Sequence, residues 1–437
     1  MTSVAVGIAS VAAIVVAIYA GTHIAIALGL ISFVGVLLLR GDLDVALNLL
    51  SLAMADSIAD EAFATVPAFV MMGLVVSRAG LGRDLYDFAN DLFRPVRGGL
   101  GMATVAANAV FASVTGSSIA SASVFTKVAV PEMLRFGYGR RFAVGVVGGS
   151  AVLGMIIPPS VMLIIYAVTT EQSVGAMFIA GILPGLLLAA AYCVAIPLFH
   201  AFMPRFVGGP ASGAAWPPLR RLALGLAVQV GPTAALVLIV LGGIYGGVLT
   251  PVEAGAVGTL AAVIIGALQR RLQWRALWTA LVETGRITAN ILFLIIAASI
   301  YSRMLGIAGL PTLFGEWLAS IEMGFAALML LYVLLLLALG TILDTASIIL
   351  IVVPLFLPAL EPFGMSLVWF GIVTVVGAEI GLLTPPFGIS CFVIKATLDD
   401  PSISLRDIFL GALPFAAVML AVLCLLIAFP GISLALL

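Results

Sequence analysis

The chain has 437 residues; 63% of them are hydrophobic, only 9% are charged, and the formal net charge is −1. Soluble domains carry about 25% charged residues, and many apolar runs in this chain reach the roughly 20 residues that span a bilayer. The composition therefore excludes an ordinary soluble protein and predicts an all-α membrane protein with many crossings. Membrane lipids are expected around most of its surface, and no nucleic-acid partner is expected.

Side chains that carry enzyme chemistry are scarce. The two histidines, His23 and His200, are far apart in sequence, and the three cysteines stand singly inside apolar segments. The sequence contains no HExxH, no GxSxG and no Walker phosphate-binding motif. We therefore expect neither an enzyme nor a histidine-based metal site.

The first predicted elements are two crossings within residues 4–39. A single helix there would be about 54 Å long at 1.5 Å per residue, too long for one crossing, so we divide it at Gly21-Thr22. The acidic connection 40–61 is predicted to be an external helical arm. Eight further crossings are predicted near residues 63–77, 142–170, 174–203, 222–246, 253–268, 284–302, 367–395 and 408–429.

Two apolar stretches remain, at residues 100–131 and 324–360. Each has a polar centre, "TGSSIASAS" in the first and "GTILDTAS" in the second. When the clusters of Lys and Arg are placed in the cytoplasm, each stretch starts and ends on one side of the membrane, and both termini lie outside. Both stretches are therefore predicted to be re-entrant hairpins, whose backbone must be buried in protein or line a water-filled cavity.

The two halves of the chain, residues 1–221 and 222–437, show the same order of features. Each half has five crossings and one hairpin, and the next crossing after the hairpin is interrupted by two prolines, in "GMIIPP" and in "GLLTPP". Because five is odd, the second half would enter the membrane upside down relative to the first. Inverted repeats with paired broken helices are typical of secondary transporters, whose binding sites lie near the middle of the bilayer.

The proline pairs suggest how these segments could bind an ion. A proline in a helix has no amide hydrogen and clashes with the carbonyl four residues back, so each pair leaves backbone carbonyls free to coordinate Na⁺. The predicted Na⁺ ligands are Gly116, Ser117, Ser118, Gly154, Ile157 and Pro158 in the first half, and Gly340, Thr341, Asp344, Thr345, Gly381, Thr384 and Pro385 in the second. The half-helix N-termini suit an anionic substrate, for which the predicted contacts are Ser117, Pro159, Ser160, Thr345 and Pro386.

Plainer interpretations of the same residues stay open. The proline pairs could be structural kinks, and the hydroxyls of the tips could only cap helices. Asp344 could be an ion ligand or the N-cap of the returning half-helix. Glu379 could support the ion site or bond to a neighbouring tip. Arg286 is predicted to pair with Glu283 on the same helix.

Three stretches resemble signatures of the large membrane subunit of TRAP (tripartite ATP-independent periplasmic) transporters. They are "GSSIASASVFTKVAVPEM" with the following "GMIIPPSVMLIIY", then "GVLTPVEAGAVG", and then "EIGLLTPPFGISCF". The similarity covers essentially the whole chain. It implies an elevator-type transporter that imports an organic acid, such as a C4-dicarboxylate or sialic acid, with Na⁺ across the bacterial inner membrane.

The resemblance also implies two partners, a periplasmic substrate-binding protein and a small membrane subunit, which is expected here to be a separate chain. In such a transporter both hairpins, the two broken crossings, and helices 174–203 and 408–429 should move as one body against a fixed scaffold. Which organic acid is carried should depend largely on the binding protein.

The sequence bears on three alternative functions. Dicarboxylate–sodium symporters that need no binding protein have a related architecture, but they carry Ser-Asn-Thr at their tips, which neither tip has here. An intramembrane enzyme would need a nucleophile with a base, or metal ligands, and the sequence shows no such set. A passive channel would differ in transporting without dependence on sodium.

Overall fold

The computed structural model describes residues 3–59, 61–209, 215–321, 323–386, 388–398 and 400–437. Every named element within these ranges is a helix, and an isolated bridge joins Tyr138 to Gly208. This confirms the predicted all-α class. The apolar runs form helices because a helix satisfies the backbone polar groups within the segment itself, as a membrane interior requires.

The first half of the chain forms thirteen helices within its described residues. They are α1 Ser3–Tyr19, α2 Ile24–Arg40, α3 Leu43–Ala59, α4 Thr65–Arg78, α5 Leu81–Phe93, α6 Gly99–Thr115, α7 Ser118–Arg135, α8 Arg140–Ala151, α9 Leu153–Ile156, α10 Val161–Thr169, α11 Val174–Phe202, α12 Pro204–Val207 and α13 Leu219–Gly225. A 3₁₀ turn, Glu61–Ala64, leads into α4. The predicted external arm is helical, as α3 shows.

The second half continues from α13 through a π-helical turn, Leu226–Val230. Its helices are α14 Gly231–Tyr245, α15 Pro251–Leu268, α16 Trp274–Ala308, α17 Leu310–Ser320, α18 Phe325–Gly340, α19 Thr345–Leu360, α20 Leu367–Gly381, α21 Ile389–Thr397, α22 Leu405–Ala428 and α23 Gly431–Leu434. A 3₁₀ turn, Glu361–Phe363, follows α19.

Seven helices of the described chain are each long and apolar enough to cross a membrane. They are Glu61–Arg78, Val174–Phe202, Leu219–Tyr245, Pro251–Leu268, Trp274–Ala308, Thr345–Phe363 and Leu405–Ala428, and the pair Arg140–Ile156 with Val161–Thr169, bent by 43°, makes an eighth. The ten predicted crossings also include α1 and α2, with 17 residues each, and α20, with 15. The arm α19, predicted to belong to a hairpin, is long enough to cross alone when the 3₁₀ turn that follows it is included. The number of crossings therefore stays a prediction.

Each predicted hairpin is a pair of helices joined by a short turn. The first consists of α6 and α7, which meet at Gly116 and Ser117, and the second consists of α18 and α19, which meet at residues 341–344. The two arms of each hairpin pack against one another. The predicted breaks are also present, at residues 157–160 between α9 and α10 and at 382–388 between α20 and α21.

The helices pack into two groups. The hairpin group contains α6–α11 and α18–α22, and its closest contact joins α8 to α22: a Cβ on Gly145 would lie 2.1 Å from the carbonyl oxygen of Gly411. The scaffold group contains α1–α4 and α13–α16, in which α2 and α4 pack along α16. The two groups meet where α4 touches α6 and α10 and where α16 touches α19.

Helix α5 joins the two groups on the side predicted to be cytoplasmic. It packs along α6 and α7 of the hairpin group. Its acidic residues reach the scaffold, since Asp84 pairs with Arg271 at 2.5 Å and Asp91 with Arg221 at 2.8 Å. Helix α17 occupies the corresponding place in the second half, between α16 and α19.

Candidate functional site

The first hairpin tip lies directly against the first break. Gly116 ends the incoming arm with a φ of +56°, which glycine adopts without strain. A Cβ on Gly116 would lie 2.6 Å from the carbonyl oxygen of Pro159, and a Cβ on Gly154 would lie 2.9 Å from the carbonyl carbon of Ser117. These contacts leave no room for a side chain. The structure thus brings Gly154 against the tip residues Ser117 and Ser118, the latter buried. The other predicted ligands in the break, Ile157 and Pro158, lie against Gly185 and Gly181 of α11.

Part of the backbone around the first break is hydrogen-bonded by a side chain of the break itself. The peptide bond between Pro158 and Pro159 is cis, and residues 154–160 are all buried. Ser160 caps α10 by accepting from the amide of Leu163 at 3.4 Å, and its hydroxyl donates to the carbonyl of Met155 at 2.6 Å. The carbonyl of Met155, four residues before Pro159, therefore already accepts a hydrogen bond.

The second tip lies as closely against the second break. A Cβ on Gly381 would lie 2.5 Å from the Cα of Gly340, so these two backbones touch. The hydroxyl of Thr345 donates to Oε1 of Glu379 at 2.7 Å. The predicted ligands Gly340, Thr345 and Gly381 are therefore neighbours.

The second break is more open than the first. Pro385 and Pro386, joined by a cis peptide bond, are exposed, whereas Pro158 and Pro159 are buried. The amide of Thr384 donates to the carbonyl of Gly381 at 2.9 Å, so this carbonyl too has a partner. The hydroxyl of Thr384 donates to the carbonyl of Ile380 at 2.8 Å. Phe387, the next residue, lies outside the described chain.

Asp344 is the N-cap of α19. Its carboxylate accepts from the amide of Ser347 at 3.3 Å and from the hydroxyl of the same residue. Thr341 is half-buried, as Asp344 is, and its hydroxyl donates to the carbonyl of Ala338 at 2.8 Å. The capping interpretation of Asp344 is therefore seen directly, while its role as an ion ligand stays a prediction.

Glu379 is fully buried in α20. Its Oε1 accepts from Thr345, and its Oε2 has no hydrogen-bond partner within the described part of the chain. Of the two interpretations offered for Glu379, the bond to a neighbouring tip is present. That tip residue is itself a predicted Na⁺ ligand, so the bond also places Glu379 next to the second candidate site.

The two candidate sites share one interlocked set of helices. Helix α21, which follows the second break, packs against α7, which follows the first tip. In the same way α10, which follows the first break, packs against α19, which follows the second tip. The hydroxyl of Tyr166 in α10 donates to the carbonyl of Leu367 in α20 at 2.7 Å. In each half, the helix that follows the break therefore packs against a hairpin arm of the other half.

Two buried side-chain pairs were missed in the sequence. Asn108 of α6 donates to the hydroxyl of Ser150 in α8 at 2.7 Å, and Tyr332 of α18 shares a hydrogen bond of 2.8 Å with Thr374 in α20. Each pair joins the incoming arm of a hairpin to the broken helix, and the partners are 42 residues apart in both halves. The signal that could have revealed them is this equal spacing of polar residues inside apolar helices.

Known proteins resemble this chain along most of its length. The family model described as "Tripartite ATP-independent periplasmic transporter, DctM component" matches residues 11–432. The C4-dicarboxylate TRAP transporter large permease protein DctM of Pseudomonas aeruginosa is 35% identical over 380 residues, covering 85% of each chain. The sialic acid TRAP transporter large permease protein SiaM of Vibrio cholerae is 30% identical over 375 residues, covering 84% of each.

A solved structure shares the fold. The YdaH transporter of Alcanivorax borkumensis superimposes with a TM-score of 0.65 over 90% of both chains, at 16% sequence identity. The two proteins therefore share an overall fold. The sequence relatives are permeases and not enzymes. Taken with the paired tips and breaks, the family match over residues 11–432 shows that the chain belongs to the DctM family of large permease subunits of TRAP transporters.

Proposed function

We propose that this large permease subunit imports an organic carboxylate together with Na⁺, the ion being cargo of the transport cycle. The observation that carries the proposal is that each hairpin tip lies against a helix interrupted by two prolines, once in each half. In folds of this kind, unwound carbonyls coordinate Na⁺ and the N-termini of half-helices face anionic substrates.

The oxygen atoms gathered at each tip suit a hard cation. The first candidate site offers the hydroxyls of Ser117 and Ser118 beside the backbone of Gly154. The second offers Thr345, which bonds to Glu379 on the helix that ends at Gly381. Hydroxyl and carbonyl oxygens are ligands that hard cations prefer. A carbonyl that already accepts one hydrogen bond keeps a second lone pair, so the bond from Ser160 to Met155 is compatible with ion binding.

Movement of the hairpin group against the scaffold group would change access to the two sites. Both tips and both breaks belong to the hairpin group, so each site would stay intact during such a movement. Helices α5 and α17 connect the groups and would have to bend or tilt. We propose that the two halves are inverted relative to each other in the inner membrane, with both termini in the periplasm.

The remaining components of the system would be two separate proteins. The family description names a tripartite transporter, and we propose a small membrane subunit beside the scaffold group and a periplasmic binding protein that delivers the substrate. The relatives are named for a C4-dicarboxylate and for sialic acid, both of which carry carboxylates. We therefore propose a carboxylate as the substrate class.

Reconstitution tests the proposal. We expect uptake of carboxylate into liposomes only when this chain, the small subunit, the binding protein and an inward Na⁺ gradient are all present. Uptake of free substrate by this chain alone would favour a symporter that needs no binding protein. Equal uptake with a K⁺ gradient would contradict Na⁺ coupling.

Binding of Na⁺ can be measured without transport. NaCl should raise the unfolding temperature of the purified chain in detergent above that in KCl at equal ionic strength, since a ligand that binds only the folded state stabilises it. Identical unfolding temperatures over a full titration would argue against the two sites.

A further inference from the structure

A cavity of about 230 Å³ lies between the first hairpin tip and the scaffold group. On the hairpin side it is lined by Ser117 of the tip and by Met155 and Met162 on either side of the break. On the scaffold side it is lined by Leu74 of α4 and Ile291 of α16. The cavity therefore opens from the predicted substrate site, with which it shares Ser117.

The wall of this cavity is apolar. Among the described residues that line it, none is charged, and the only hydroxyls are those of Thr115 and Ser117. Thr115 donates to the carbonyl of Phe111 at 3.0 Å within its own helix, and Ser117 accepts from the amide of Ala120 at 3.3 Å. Within the described chain the hydroxyl proton of Ser117 has no acceptor and is available to a ligand, so the side-chain hydroxyls offer polar contact at the tip end of the cavity.

The cavities along the boundary between the two groups differ in polarity. A second cavity, of about 320 Å³, lies between α3, α10, α16 and α19 and is lined by Asp56, Glu171 and Arg303. Arg303 and Asp56 form an ion pair there at 2.5 Å. The boundary can thus hold charged groups, and the cavity at the first tip lacks them.

We propose that the cavity at the first tip receives a compact apolar group of the substrate, which is therefore a monocarboxylate with a branched alkyl or aryl body. This rests on the proposed function, which supplies the carboxylate. An apolar cavity of roughly 150 Å³ stays dry and binds benzene, so this cavity has room for a group of that size. A second carboxylate or several hydroxyls would enter it without hydrogen-bond partners, at a large desolvation cost.

The test is equilibrium binding to the purified chain in NaCl, measured by scintillation proximity. The probe is radiolabelled 4-methyl-2-oxopentanoate, and the competitors are phenylpyruvate, succinate and N-acetylneuraminate. We expect the two apolar monocarboxylates to bind at least tenfold more tightly than succinate or N-acetylneuraminate. About two buried methylene groups account for a preference of that size.

Variants locate the preference in this cavity. Leu74→Asn places an amide in the wall and should reduce the preference for the apolar ligands about tenfold, and Leu74→Ala should reduce it less. The matched control is Leu260→Asn on α15, where the side chain is 61% exposed on the outside of the helix bundle. The control should keep the wild-type preference.

The outcomes separate this inference from the function on which it rests. Tighter binding of succinate or N-acetylneuraminate to the wild type would overturn the apolar class while leaving a carboxylate transporter intact. An unchanged preference in both Leu74 variants would also overturn it. If none of the carboxylates binds in NaCl and none is taken up with the partners present, both the inference and the proposed function are wrong.

Discussion

The hydrogen bond between Thr345 and Glu379 offers a direct test of the second candidate site. Thr345→Val keeps the shape of the side chain and removes the hydroxyl that donates to Oε1 of Glu379 at 2.7 Å. Because Oε2 already lacks a partner in the described structure, the variant leaves a fully buried carboxyl group without any. Leaving a buried acceptor unpaired costs about 1–3 kcal/mol.

Part of this cost should appear as weaker Na⁺ binding, because Thr345 both anchors the tip to α20 and belongs to the proposed ligand set. A loss of about 1.4 kcal/mol raises the Na⁺ concentration for half-saturation about tenfold. The assay is thermal unfolding of the purified chain in detergent over an NaCl titration, at constant ionic strength. Thr279→Val is the matched control, since Thr279 is exposed and its hydroxyl donates to the carbonyl of Arg275 in its own helix.

The result that refutes the reasoning is a Thr345→Val variant with wild-type Na⁺ dependence. In that case the bond would hold the helices together without serving the ion site. Glu379→Gln supplies a second check, because the amide oxygen can still accept from Thr345. Its effect should be smaller than that of Thr345→Val, and the double variant should cost less than the sum of the two single changes.

Three further predictions follow from the tips and the group boundary. Gly381→Ala would place a methyl group 2.5 Å from the Cα of Gly340, so it should lower the free energy of unfolding by about 1–3 kcal/mol and reduce uptake. Gly285→Ala is the control, because its added methyl group would meet no other segment of the described chain within 4 Å, and it should change neither thermal unfolding nor transport in this way. Equal effects of the two variants would contradict the contact. Asp344→Ala should weaken the Na⁺ dependence of uptake. Asp344→Ser restores an N-cap worth about 1 kcal/mol, so it should recover stability but not Na⁺ affinity. If serine recovers both, capping is the whole role of Asp344. Arg271→Ala removes the ion pair between α5 and the scaffold group and should change the transport rate. Thermal stability should change little, since such exposed pairs contribute only about 0–1 kcal/mol. An unchanged transport rate would show that α5 does not need this ion pair.

The positions of the tips and breaks could be predicted because they depend on local chemistry. Two adjacent prolines cannot continue a helix, and a polar stretch within an apolar run must turn or be buried. The breaks accordingly lie at Pro158–Pro159 and Pro385–Pro386. The ends of several helices agree within a few residues for the same reason, since α11 spans Val174–Phe202 where 174–203 was predicted.

Contacts between distant segments could not be predicted in the same way. The predicted pairing of Arg286 with Glu283 is wrong, because Glu283 pairs with Arg78 of α4 at 2.5 Å. Helix α16 begins at Trp274, ten residues before the predicted crossing, so Glu283 lies within the helix and reaches Arg78. The partner of a carboxylate such as Glu283 depends on which helices pack beside its own helix.

The same limit applies inside the candidate sites. Asp344 was given two interpretations because its sequence neighbours allow both a cap and a ligand. Ser160 was predicted only as a substrate contact, yet it also caps α10 and bonds back to Met155. A local sequence pattern shows that a polar group needs a partner, but the partner is chosen by the packing of both halves.

The contact between α8 and α22 has a consequence for the biogenesis of the protein. The backbone of Gly145 touches that of Gly411, and Arg141 bonds to Asp407 at 2.8 Å, across a separation of 266 residues. Because translation proceeds at about 5–20 residues per second, the ribosome needs tens of seconds to make the missing partner. During that interval the glycine surface of α8 is uncovered in the membrane. The contact between α8 and α22 can therefore form only once nearly the last helix is inserted, and a chain truncated before α22 would keep this glycine surface of α8 uncovered.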